Sequence, residues 1–264
     1  MENAEERGYA WNDTPARLRA ALKNDEVTLF VQPILALRGA GGFPMGEVLI
    51  RLREEEKALI PPGEFLPVFE QHQMMPLLDR WVMLRTIGRL TRGSRVPRLA
   101  MNVHYQTLLD DKFPAFFADQ IKTARIPPAS LLFEIDESDM VGRPQAVQRF
   151  AAAMRAAGGG IVVDGFGRRM DSFEALEALR PDIVKIDGSL TLKIMKSETT
   201  EGMVKAILRL ATSLRMGVVG ECVEEQDVLL RLQALGVGYA QGFGVALPRP
   251  LDHLSPQFKA VDAA

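Results

Sequence analysis

A chain of 264 residues with a formal net charge of −2, 47% hydrophobic and 25% charged residues, can bury a sizeable core without staples. Its near-neutral balance argues against a general binder of DNA or RNA duplexes or of membrane surfaces. The single cysteine, Cys222, excludes an intrachain disulfide and fits a reducing compartment. The acidic start MENAEERGYAWND lacks an apolar signal core, and no apolar run approaches bilayer-spanning length. The expectation is a soluble, cytoplasmic chain with no membrane segment of its own.

In chain order, residues 1–12 read as a leader, and Asp13 or Thr14 caps a helix PARLRAALKN with Pro15 in its first turn. The run VTLFVQ is the first strand. The segment Gly39 to Gly46 is a glycine-rich loop dividing a hairpin whose second arm starts at Glu47 in EVLIR. Pro61 and Pro62 mark a turn before GEFLPVFEQHQ and a long amphipathic helix around Leu77 to Leu90. Strand-like runs then recur: LAMN to Asn102, LLFE to Glu134, IVVD to Asp164, IVK to Lys185, VVGE to Glu221 and YAQ to Gln241. Helix-to-strand breaks at Pro127–Pro128 and Gly158–Gly160 separate three of them. Length alone allows one barrel or two small domains. The evenly spread strand, polar tip, helix pattern favours a single α/β barrel over residues 13–255, with 256–264 as a tail. Closing parallel strands into such a barrel brings the polar tips to one face.

Taken singly, each tip has a plain structural explanation: Glu47 a solvated edge residue, Asn102 a turn amide, Lys185 and Asp187 a strand end and a helix cap. Together they change character. Glu47, Asn102, Glu134 and Asp164 offer oxygen ligands from four strands, as a hard cation such as Mg²⁺, Mn²⁺ or Ca²⁺ requires. His104 is the one histidine near a strand tip, and no His or Cys cluster exists, which argues against a structural zinc site.

Nine short strings, in order, resemble the bacterial EAL domain, a module that binds cyclic di-GMP and, when active, hydrolyses it to pGpG. They are FVQPI at 30–34, EVL at 47–49, DRWV at 79–82, MNVH at 101–104, FEIDES at 133–138, VDGFG at 163–167, VKIDGS at 184–189, GECVE at 220–224 and QGFG at 241–244. The resemblance implies a TIM-like (β/α)8 barrel whose first strand runs antiparallel. It implies that Glu47, Asn102, Glu134 and Asp164 bind a first metal and that Asp164 bridges to a second. Lys185 would orient or deprotonate the attacking water, Glu221 would serve as second-metal ligand or base, and Glu224 and Gln241 would complete the metal-side network. Gln32, Arg51 and Asp79 match positions that contact the dinucleotide, and Arg51 suits a phosphate because its fork pairs bidentately. Mg²⁺ or Mn²⁺ is the implied productive ion and Ca²⁺ a non-productive one. The implied partners are cyclic di-GMP, a second copy in a homodimer, and an upstream sensor domain or effector protein.

The chain departs from the family at one critical place. Where the family reads D-D-F-G-T-G, this sequence has Asp164, Gly165, Phe166, Gly167, Arg168 and Arg169. The aspartate that holds the second metal is replaced by glycine, and RRMDS replaces the loop that in the family couples dimerisation to the site. Arg168 and Arg169 read as solvated side chains, with phosphate contact as the alternative. Cys222 stands where the family has glycine and reads as a small buried packing residue. The expectation is second-messenger recognition with hydrolysis weak or lost, which Gly165→Asp should partly restore. An active metal-dependent phosphodiesterase and a nucleotide-free protein scaffold are the alternatives.

Overall fold

The structure is a computed structural model that describes residues 15–39, 41–54, 58–94, 96–169 and 171–254. The leader, the Asp13 or Thr14 cap, Met170 and the tail lie outside the described residues. The elements run α1 (Pro15–Lys23), β1 (Val27–Ala36), β2 (Met45–Glu54), β3 (Ala58–Ile60), α2 (Pro62–Gln71), α3 (Met75–Thr91), β4 (Arg98–Asn102), α4 (Tyr105–Leu108), α5 (Phe113–Ala124), β5 (Leu131–Asp136) and α6 (Glu137–Gly142). They continue as α7 (Pro144–Ala156), β6 (Gly160–Phe166), α8 (Ser172–Leu179), β7 (Ile183–Ile186), α9 (Gly188–Thr191), α10 (Glu198–Leu214), β8 (Gly217–Gly220), α11 (Gln226–Leu235), β9 (Tyr239–Ala240) and β10 (Arg249–Pro250).

Eight strands close in the order β1-β2-β4-β5-β6-β7-β8-β9 and back to β1, with β3 and β10 paired outside the ring on β2 and β1. From β2 through β9 every pairing within the ring is parallel, whereas β1 is antiparallel to both neighbours. The cause is connection length. A tight loop through Gly39, Gly41 and Gly42, all at positive φ, can only return an antiparallel strand, while each later strand follows a helix that carries the chain back to the starting end. The hairpin loop is shorter than the sequence suggested, because Met45 and Gly46 already pair with Ile34 and Pro33. Gly46 is there for close approach, since a Cβ would lie 2.8 Å from Val31 Cγ2 and 3.1 Å from the Gln32 carbonyl.

Outside the barrel, α5 and α7 pack aromatic side chains on β5. Phe133 meets Phe117, Phe150 and Phe113 with ring centroids 5.0, 5.9 and 6.2 Å apart in edge-on arrangements, a geometry that adds about 0.5–1.5 kcal/mol per pair beyond area burial. Among the described residues no helix is long and apolar enough to cross a membrane.

The barrel interior positions the site. Each of the eight strands sends one apolar side chain inward: Ile34, Met45, Ala100, Leu132, Val162, Ile183 and Val219 form a buried plug with Tyr239 packed on it. Side chains two residues apart share a face of a strand. Two residues onward from each plug residue, or two back on the antiparallel β1, stand Gln32, Glu47, Asn102, Glu134, Asp164, Lys185, Glu221 and Gln241. One polar group per strand therefore sits directly above an apolar floor.

Candidate functional site

Six of these groups lie in the last three residues of their strands or just past them, as the sequence pattern requires, but two do not. Gln32 and Glu47 sit inside the ten-residue strands β1 and β2, opposite one another in register. They reach the same depth because the hairpin strands extend beyond the shorter parallel ones.

Lys185 is the hub. Its Nζ, essentially without solvent contact, lies 2.9 Å from Glu47 Oε2, 3.0 Å from Glu134 Oε2, 2.9 Å from Asp164 Oδ1 and 3.0 Å from Glu221 Oε1. Glu47 also accepts hydrogen bonds from Asn102 Nδ2 at 2.9 Å and Gln241 Nε2 at 2.7 Å. Gln241 Nε2 is 3.1 Å from Gln32 Oε1, and Gln32 Nε2 donates to the Ala246 carbonyl at 3.1 Å. Gln241 thus holds Glu47 from the hairpin side and is itself held by Gln32.

Four acids share one amine, and their protonation reflects it. Burial alone would lower the Lys185 pKa, but Glu134, Glu47, Glu221 and Asp164 hold it well above the usual lysine range. Burial pushes Glu47 upward, yet Lys185, Gln241 and Asn102 outweigh that and leave it below its ordinary value. For Glu134, burial and repulsion from Glu47 and Asp164 win over Lys185, so its pKa stands well above normal. Glu221 is raised to about 7 by burial and by Asp164 and Glu47, against the pull of Lys185. The cluster opens on one side: Asn102 is exposed and Asp164 and Glu221 are partly so, while Glu47, Glu134 and Lys185 are buried.

The donor set suits a hard divalent cation. It is oxygen-rich and carries more negative than positive charge, and Glu134 Oε1 and Gln241 Oε1 are buried with no hydrogen-bond partner. As the side chains lie, the acids close on the Lys185 ammonium, and among the described residues no three stand spaced to hold a metal ion directly.

Three other expected residues stand apart from this cluster. Arg51, partly buried, donates to the Ile50 carbonyl, and its guanidinium carbon is 5.9 Å from the Phe30 ring centroid. Asp79 is buried on α3, where its Oδ2 accepts from Thr107 Oγ1 at 2.6 Å and from the His104 amide at 3.1 Å. Burial raises its pKa to about 7 despite those bonds, and it ties the β4–α4 turn to α3. Glu224 is exposed on the loop after β8 and forms no ion pair among the described residues.

The structure corrects two readings and supplies one residue the sequence did not single out. Arg168 is not merely solvated: it donates to Asp136 Oδ2 at 2.6 Å and to the Gly165 carbonyl at 2.8 Å. Arg169 forms a fork to both oxygens of Asp171. Cys222 is exposed, not a buried packing residue; its φ of +53° explains why glycine suits that position. Glu137, fully buried at the start of α6, accepts from the amides of Gly167 and Arg168 at 2.9 and 3.2 Å and from Ser172 Oγ at 2.6 Å. It holds the loop after β6. The visible signal was the carboxylate run in FEIDES, whose Asp136 caps α6 through Ser138.

A TIM-like (β/α)8 barrel with one reversed strand, floored by an apolar plug and carrying an acid-and-lysine cluster at its mouth, defines the class of this protein. The chain belongs to the EAL domain family, whose profile matches residues 16–248. It is 29% identical over 238 residues to the cyclic di-GMP phosphodiesterase PdeF of Escherichia coli (strain K12), covering 89% of this chain and 32% of that protein. It is also 29% identical over 236 residues to the cyclic di-GMP phosphodiesterase RocR of Pseudomonas aeruginosa, covering 88% and 60%. The chain spans about a third of the length of the first curated relatives it matches, at 32% and 29%. Among solved structures it resembles the FimX EAL domain from Pseudomonas aeruginosa bound to c-di-GMP, with TM-score 0.84, 26% identity and coverage of 92% of this chain and 98% of that one. The PaMucR phosphodiesterase in complex with c-di-GMP is similar, with TM-score 0.82, 26% identity and coverage of 91% and 98%.

Proposed function

We propose that this barrel binds cyclic di-GMP and that its hydrolysis to pGpG is weak or lost. One observation carries the reading: the polar cluster is complete on all eight strands, yet the residue beside Asp164 is a glycine. Family membership and relatives named for cyclic di-GMP support the choice of ligand.

Glu47, Asn102, Glu134 and Asp164 are the residues that would hold Mg²⁺ or Mn²⁺, with Gln241 steadying Glu47 from the other side. When bound, such an ion would supply Lewis-acid stabilisation of phosphoryl oxygens and lower the pKa of water. Lys185 keeps the four acids in register before the ion arrives, and Arg51, engaged with no carboxylate among the described residues, offers its fork to a phosphate. Glu221, half-buried and titrating near neutrality, is the group suited to take a proton at the open side. Retention of Lys185 and Glu221 favours a second reading, an active phosphodiesterase. The partners that fit this reading are a sensor domain or an effector protein.

The test has two arms. Calorimetry with cyclic di-GMP in Ca²⁺ should show binding, weakened roughly tenfold or more in Arg51→Ala by loss of a charge-assisted contact worth about 1.5–3 kcal/mol. Chromatography after incubation with Mg²⁺ or Mn²⁺ should show little pGpG. Absence of binding sinks the recognition claim, whereas robust turnover that disappears in Glu47→Ala establishes the phosphodiesterase reading instead.

A further inference from the structure

Beside the Lys185 cluster lies a second concentration of charge. Asp136 ends β5, Glu137 opens α6 and Asp187 caps α9, and all three carboxylates face the Arg168 guanidinium. Its Nη2 is 2.6 Å from Asp136 Oδ2, and its Nε is 3.6 Å from Glu137 Oε2 and 3.7 Å from Asp187 Oδ2. Nε also donates to the carbonyl of Gly165 at 2.8 Å, the residue that follows Asp164.

The backbone explains how the guanidinium comes to be there. Register slips between β6 and β7, because Val163 pairs with Val184 but Phe166 with Ile186, leaving an extra residue on β6. Gly165 absorbs the bulge at φ +62°, and a Cβ at that position would lie 2.7 Å from Arg168 Nη2 and 2.8 Å from its Cζ. Arg168 therefore fills the space that a side chain at 165 would enter. An ion placed there would stand between two fixed cations, Lys185 on one side and Arg168 on the other. Arginine cannot shed its proton to make way.

We propose that Arg168 is the resident cation of this corner: it satisfies Asp136, Glu137 and Asp187 and keeps a second divalent ion from binding beside Asp164, so the chain takes one divalent cation. The proposal rests on the reading that Glu47, Asn102, Glu134 and Asp164 hold such an ion. It also changes the outcome of Gly165→Asp, since the new carboxylate pairs with Arg168 and gains no metal.

Titration of the full chain with Mn²⁺ alone, counting free ion by electron paramagnetic resonance, tests this without nucleotide or turnover. The parent, Arg168→Lys and Gly165→Asp should each bind one Mn²⁺. Arg168→Gln should acquire a second, weaker ion, and Gly165→Asp/Arg168→Gln should bind that second ion at least tenfold more tightly. Arg168→Met replaces the glutamine variant if circular dichroism shows the latter unfolded. A second Mn²⁺ on the parent, or a folded charge-removing variant that still binds only one, overturns the proposal and leaves cyclic di-GMP recognition standing. No Mn²⁺ on the parent overturns it together with the metal assignment, and calorimetry of cyclic di-GMP in chelator then decides separately whether the nucleotide binds.

Discussion

Replacing Lys185 with methionine keeps the aliphatic stem and removes the amine. Four carboxylate oxygens now 2.9–3.0 Å from Nζ would then face one another in a site where the lysine is almost wholly buried. Breaking a buried ion pair by removing one partner costs about 3–5 kcal/mol, which corresponds to a fall in Tm of roughly 6–20 °C for a domain of this size. The acids can relieve the repulsion by taking up protons, so the loss must depend on pH. Without the amine the folded-state pKa values of Glu134 and Glu221, already raised, rise further, and Glu47 loses the partner that holds it low. The folded variant then holds protons that the unfolded chain has released, and its stability falls as pH climbs through the range from about 5 to 8. The parent carries no such slope from Lys185. Its amine has a raised folded pKa, so its stabilisation is fully present below the unfolded lysine value and is lost only in strong alkali. Urea unfolding followed by circular dichroism at about pH 5 and pH 8 should show a modest deficit at the lower pH and the full deficit at the higher one. Millimolar Mn²⁺ should narrow it. A loss under about 1 kcal/mol at pH 8, or an equal loss at both values, would refute the assignment of Lys185 as the counter-charge of the cluster.

Asp79→Asn should flatten another part of the pH profile. Asp79 has a folded pKa raised from 3.8 to about 7 by burial, so the parent loses stability as pH rises across that interval, by about 4 kcal/mol at most, and asparagine removes the slope while keeping an acceptor for Thr107 and His104. Unfolding curves at about pH 4.5 and 8 that move in parallel for the two proteins would show that Asp79 does not titrate in this way. Glu137→Ala strands the amides of Gly167 and Arg168, leaving the Ser172 hydroxyl to the Arg169 carbonyl, and should cost about 2–4 kcal/mol with faster hydrogen exchange at those two amides. Unchanged exchange there would mean that the Arg168–Asp136 pair alone holds the loop.

The periodic pattern of the chain determined the barrel: short apolar runs, each closed by a polar residue and followed by a helix, admit few other architectures, and parallel strands put their ends together. The same local rule determined that Asn102, Glu134, Asp164, Lys185, Glu221 and Gln241 share one mouth, since each stands two residues past an inward apolar neighbour. Resemblance to the EAL family added the reversed first strand, which the hairpin geometry explains. What the sequence could not determine is which charges meet. Lys185 and Glu47 are 138 residues apart and touch only because the closing register of the barrel brings β7 and β2 to the same depth. Glu224 closes the GECVE string in sequence, yet it is exposed and forms no ion pair among the described residues. Arg168 read as a surface arginine because no local pattern reveals that a bulge at Gly165 and three acids from two distant segments, the β5–α6 junction and the start of α9, converge on it. Faces follow from a period of two along a strand, but ion-pair partners follow from closure of the whole sheet, a property that no single segment carries.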